Sequence, residues 1–151
     1  GGFFDTAGGV AAKGVARWDG VSWTPVGGPA GNGVDGDVWS MAVWDDGSGP
    51  ALYISGQFES AGGVEAHNIA RWDGTSWSAL EGPPGNGIDC AALALPGFDD
   101  GDGPALAVAG YFNSAGGLAS DRFAIWRCPD GLVFWDGFEL GDTAGWSATS
   151  P

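Results

Sequence analysis

Positive charge is scarce in this chain: five Lys and Arg and one histidine stand against 19 Asp and Glu, for a formal charge of −14. So few cations cannot neutralise a run of phosphates, which excludes nucleic acid as a partner and argues against anionic membrane surfaces. No run of about 18 apolar residues exists, so no helical membrane span is expected. Cysteine is limited to Cys90 and Cys128, and His67 is the single histidine, too few ligands for a zinc centre of the usual kind. Helical periodicity of useful length is also missing. The charge that is present favours cations or a basic partner.

Glycine, by contrast, is abundant, with 30 residues, and 44% of the chain is apolar, enough for an ordinary core. The glycines recur. Aligning Gly2, Gly56 and Gly110 superposes GFFDTAGGV, GQFESAGGV and GYFNSAGGL, a period of 54 residues, and residues 1–54 match 55–108 without a gap at half of their positions. A period near 50 points to stacked β units rather than helical or leucine-rich repeats.

The complete copy contains four strand-like runs: Asp37–Trp44, Ala51–Ser55, Asn68–Trp72 and Thr75–Leu80. An Asp73–Gly74 turn joins the last two as a hairpin. The expected product is all-β, built from four-stranded antiparallel sheets. Residues 1–26 hold only the second half of a unit, 37–80 a whole one, and 91–127 three strands of another. Leu132–Trp135 is available as the fourth.

The landmarks Ser55–Gly56, Trp72–Asp73 and Trp77, repeated as Gly1–Gly2, Trp18–Asp19 and Trp23, resemble those of kelch or galactose-oxidase-like β-propeller blades. The wording DDGxGPAL, GxFxxAGG and ARWDGxxW is similar to that of a repeat family of secreted bacterial proteins. Residues 1–131 thus read as about two and a half propeller blades, and residues 132–151 as a blade-closing strand and tail. The tail Phe134–Trp146 resembles GFExGDTxxW endings of secreted proteins from Gram-negative bacteria; a plain β-extension is the alternative. The chain begins inside a repeat without a signal-peptide pattern, the mark of a mature or truncated product. Known propellers have roughly four to eight blades. The open edge is therefore expected to be covered by other copies of the chain, in a ring or filament, or by upstream blades.

Among chemical candidates, Asp45, Asp46, Asp99, Asp100 and Asp102 cluster in equivalent DDG turns, where calcium could find oxygen ligands; ordinary turn chemistry explains the same residues. These turns are expected on one face with the hairpin tips Asp19 and Asp73, and Asp130 is a third candidate for that face. The AGG and GNG loops, on the opposite face, lack a Walker lysine and read as turns. Trp18, Trp23, Trp72 and Trp77 read as packing between units. Trp39 and Trp44 are the ligand candidates, because the next copy has Leu93 and Phe98 in their place. His67 is expected exposed in a loop without a fixed partner. The copper chemistry that galactose-oxidase resemblance would imply needs ligands this chain cannot assemble. Cys90 and Cys128 suit a disulfide in a secreted chain. The expected topology puts them at opposite ends of a blade, roughly 20 Å apart, so a bond within the chain and one between chains both stay open.

The expectation is a non-catalytic extracellular or cell-surface structural or adhesive protein, with no cofactor beyond calcium. Two alternatives stand beside it: a carbohydrate-binding lectin, and the C-terminal part of a larger propeller enzyme with its catalytic residues upstream.

Overall fold

The computed structural model describes residues 1–28, 31–82, 85–99, 101, 103–127 and 132–134. Every regular element among them is a β-strand, and the strands pair antiparallel in several small sheets. The middle unit is a four-stranded meander. Its strand one is Asp37–Asp45, strand two Pro50–Gln57, strand three Ile69–Trp72 and strand four Trp77–Ala79, in the spatial order four, three, two, one.

Both turns in this sheet are set by aspartates. Asp45 pairs with Pro50, so strands one and two run further than their apolar residues suggest. At the other turn the Asp73 amide donates to the Ser76 carbonyl at 3.2 Å. The two turn residues are therefore Gly74 and Thr75, one position later than the Asp–Gly signal implies. Gly74 has a φ of +100°, which suits the first central position of a II′ turn. The Asp73 carboxylate accepts from the Thr75 and Ser76 amides at 2.7 Å each, which keeps those residues out of strand four.

The third unit repeats this plan with Pro104–Gly110, Phe123–Arg127 and Leu132–Phe134. Leu132–Phe134 of the expected run Leu132–Trp135 is its fourth strand; Trp135 and the rest of the tail lie outside the described residues. Its first strand is broken into Ala92–Ala94 and Gly97–Asp99 around Pro96. Strand one lies at a sheet edge, the position where a missing N–H is tolerated. Of the four strands of this plan the first unit supplies the hairpin Ala16–Trp18 and Trp23–Pro25, beside the short pair Thr6–Ala7 and Val10–Ala11.

Strand one carries a bulge at the same place in both copies. Val38 pairs with Gly56 and Ser40 with Ser55, leaving Trp39 as the extra residue. Ala92 pairs with Gly110 and Ala94 with Ala109, leaving Leu93. A bulged residue is pushed off the ladder; Trp39 is 46% exposed and Leu93 50%.

The units stack through two apolar clusters. The first joins Val15, Val26 and Val34 of the first unit to Val38, Ile54, Phe58, Ala61, Ala66, Ala70 and Trp77 of the second. Adding 54 to eight of these ten positions lands on Ile69, Leu80, Ile88, Ala92, Val108, Phe112, Ala115 and Ala124, all members of the second cluster. The repeat in the sequence is thus a repeat of the packing surface. Burying a large aliphatic or aromatic side chain contributes about 1.5–3 kcal/mol, so these junctions are the main source of cohesion.

Candidate functional site

The turn of the middle sheet holds the densest polar network among the described residues. Asp45 Oδ1 accepts from the Gly47 and Gly49 amides at 2.8 and 3.0 Å. Asp46 Oδ1 accepts from the Ser48 amide at 2.9 Å, and its Oδ2 accepts from the Tyr53 hydroxyl at 3.1 Å. Arg71, on strand three, donates from Nε to the Tyr53 hydroxyl at 3.1 Å and from Nη2 to Ser48 Oγ at 2.8 Å. Its Nε also lies 3.2 Å from Asp46 Oδ2.

Burial opposes the Asp46 charge, but the Ser48 hydroxyl and amide, the Tyr53 hydroxyl and the Arg71 guanidinium outweigh it and hold the carboxyl below its ordinary value. Burial, partly countered by Arg71, raises the Tyr53 phenol. The network ties turn, strand two and strand three into one rigid corner. Nothing in the composition pointed to it, although Arg71 opposite Tyr53 in the ladder is the signal a strand alignment would give.

Of the calcium candidates, Asp45 and Asp46 therefore direct carboxylate oxygens at their own turn and at Arg71, and Asp99 Oδ1 accepts from the Gly101 amide at 2.8 Å. Asp100 and Asp102 lie outside the described residues. No group of three or more metal-ligating side chains is found among the described residues.

The two tryptophans proposed as ligand platforms part company. Trp39 is exposed on its bulge. Trp44 is 8% exposed and belongs to the second junction cluster, so the expectation that it meets a ligand is corrected: it fills the space between units. Trp77 is buried as the packing role requires, whereas its counterpart Trp23 in the first unit is 40% exposed.

On the opposite side, loops of one unit grip the next. Asp35 Oδ1 accepts from the Glu59 and Ser60 amides at 2.9 Å each, and its Oδ2 from the Ser60 hydroxyl at 3.0 Å. Asp89 repeats the grip on the Asn113 and Ser114 amides at 2.8 and 2.9 Å. Burial works against the Asp35 charge, yet the Ser60 and Glu59 amides keep its pKa lowered. The Gly62 amide donates to the Gly33 carbonyl at 2.7 Å, and the Gly116 amide to the Gly87 carbonyl at 2.8 Å. The AGG and GNG loops are therefore not only turns but the polar half of each junction. The repeated GNG-Val/Ile-Asp wording was the available signal.

A groove of about 320 Å³ opens at the first junction, with Asp5, Lys13, Asn32 and Asp35 in its lining. At the second junction His67 occupies the position of Lys13. Contrary to the expectation of no partner, its Nδ1 lies 2.9 Å from Glu59 Oε2 and its Nε2 2.9 Å from Glu65 Oε1. Cys90 is exposed and has no disulfide partner among the described residues; Cys128 lies outside them.

Comparison with protein-family models, curated proteins and solved structures finds no match for this chain.

Proposed function

We propose that this chain is a non-catalytic scaffold of β-propeller type whose units are consecutive blades, acting at the cell surface or outside the cell to present loops from a rigid stack. The observation that carries this reading is the recurrence of eight junction positions at an interval of 54 residues. Side chains that recur at the interface are used for stacking, and a stack built from one repeated contact turns by the same angle at each step. The Asp45–Asp46–Tyr53–Arg71 corner is consumed in holding the sheet together, which supports a mechanical role for it.

Concatenating copies of residues 37–90 tests the reading. A propeller closes at one copy number, at which the product becomes a ring-shaped monomer by electron microscopy with a step up in melting temperature. Stability that climbs steadily with copy number and never closes would replace the propeller with an open solenoid.

Trp39 favours a second reading, a glycan-binding surface, because an exposed indole on an edge strand can stack on a sugar face. Retention on a glycan array that Trp39→Ala abolishes would establish it. No retention would remove it.

A further inference from the structure

The two junctions are not equally complete. Besides the eight positions shared by repeat, the second cluster contains Trp44, Ala51 and Tyr53 from the strand one–strand two hairpin of the middle unit. It also contains Leu95, Leu106 and Trp126, the third-unit residues that belong to the same cluster. Fifty-four positions earlier, the counterparts of these last three are Met41, Leu52 and Trp72. Met41 is 43% exposed, and Leu52 and Trp72 are only partly buried. Among the described residues no strand one–strand two hairpin lies over them.

The ladder is open at the same place. In the middle unit strand three pairs with strand two, Ala70 opposite Ile54 and Trp72 opposite Leu52. In the first unit Ala16–Trp18 pairs on one side only. The Gly2 amide donates to the Gly14 carbonyl at 2.8 Å, just as the Gly56 amide donates to the Asn68 carbonyl at 3.1 Å. Gly1 and Gly2 thus already lie where strand two ends. By strand parity, the N–H and C=O groups of Ala16 and Trp18 face the same open side as the Gly14 carbonyl.

The side chains agree with the backbone. Arg71 is held by Asp46, Ser48 and Tyr53, all from the hairpin of its own unit. Arg17, its counterpart, is exposed and is offered no such turn. A cation at that site suits an incoming hairpin with an acidic Asp–Asp–Gly turn.

We propose that the open side of the first unit is a docking site for a β-hairpin of this chain's own repeat type. The hairpin adds antiparallel to Ala16–Trp18, places its acidic turn on Arg17 and covers Met41, Leu52 and Trp72. One feature of it is specified closely. In the second junction Trp44 lies over Gly97, where a Cβ would stand 2.3 Å from Trp44 Cδ1. The counterpart of Gly97 is Val43, 74% exposed, so the docking hairpin must carry a small residue where the middle unit has Trp44. The proposal rests on the stacking reading above, since it transfers the second junction to the first.

The test fuses a copy of residues 37–54, with Trp44→Ala in the added copy, ahead of Gly1 of the full chain. Amide exchange is followed in the segments holding Ala16–Trp18 and Ile69–Trp72. Docking slows exchange at Ala16 and Trp18 by about tenfold or more and raises the melting temperature. Arg17→Ala removes part of that gain in the fusion but leaves the parent chain unchanged, and restoring Trp44 in the added copy weakens docking. Unchanged exchange at Ala16 and Trp18, with Ile69–Trp72 protected, overturns the docking site and leaves the stack standing. Loss of protection at Ile69–Trp72 as well would fail the stacking reading itself. Concentration-dependent protection at Ala16 and Trp18 in the parent chain would show a second copy in the site and overturn the hairpin as its occupant.

Discussion

Trp44 and Gly97 meet across the second junction so closely that a Cβ on the glycine would stand 2.3 Å from the indole Cδ1. The large residue of one unit exists because of the missing side chain in the next. Trp44→Ala leaves a hole beside Tyr53 and Gly97 in the second junction cluster and is expected to cost about 3–5 kcal/mol, read by denaturant unfolding. Trp39→Ala, at an exposed bulge, is expected to change stability by less than about 0.5 kcal/mol. Equal effects would undo the assignment of the two residues.

Gly62 and Gly74 separate backbone strain from crowding. Gly74 has a φ of +100° with nothing within 4 Å of a Cβ, whereas Gly62, at +56°, would put a Cβ 2.2 Å from Trp77 Cδ1. Gly74→Ala is expected to lose about 1 kcal/mol from the backbone alone. Gly62→Ala should lose clearly more, because Trp77 must also move out of the first junction cluster. Similar melting temperatures for the two variants would contradict this packing.

Asp46→Asn removes the charge facing Arg71 while keeping the size of the side chain. The Asp46 side chain is 6% exposed and that of Arg71 21%, so the loss is expected at about 1.5–3 kcal/mol. Urea unfolding measures it. The same experiment on Asp45→Asn, whose carboxylate accepts from the Gly47 and Gly49 amides of its own turn, should show a smaller loss.

Acid should weaken the fold at a defined point. Asp19, Asp35, Asp46 and Asp73 all have folded-state values below the ordinary 3.8. A depressed value means that the stabilisation is fully present above the unfolded value and disappears as pH falls through the folded one. Melting temperature should therefore hold down to about pH 4 and fall below it. Asp35→Ala should make the acid decline shallower and cost about 1 kcal/mol at neutral pH, as the loss of a carboxylate cap does. A decline already under way at pH 6 would point to other groups.

What the sequence determined by itself was the period, the antiparallel pairing and the order of strands. These follow from local rules: alternation, glycine at turns, and aspartates able to bind nearby amides. Even Leu132–Phe134, outside the repeated wording, was legible as a fourth strand because it is a short apolar run. The site was less legible. Trp39 and Trp44 looked alike because both are absent from the next copy, yet one sits on a bulge and the other over Gly97, and neither the bulge nor the facing glycine is visible from the residue itself. His67 looked partnerless because Glu59 and Glu65 become neighbours only when their short loop folds back on itself. Asp35 and Arg71 took their roles from amides and hydroxyls 23 to 25 residues away in the chain. Tertiary structure alone decided which surfaces were covered, because a strand presents the same side chains whether or not a neighbour arrives to bury them.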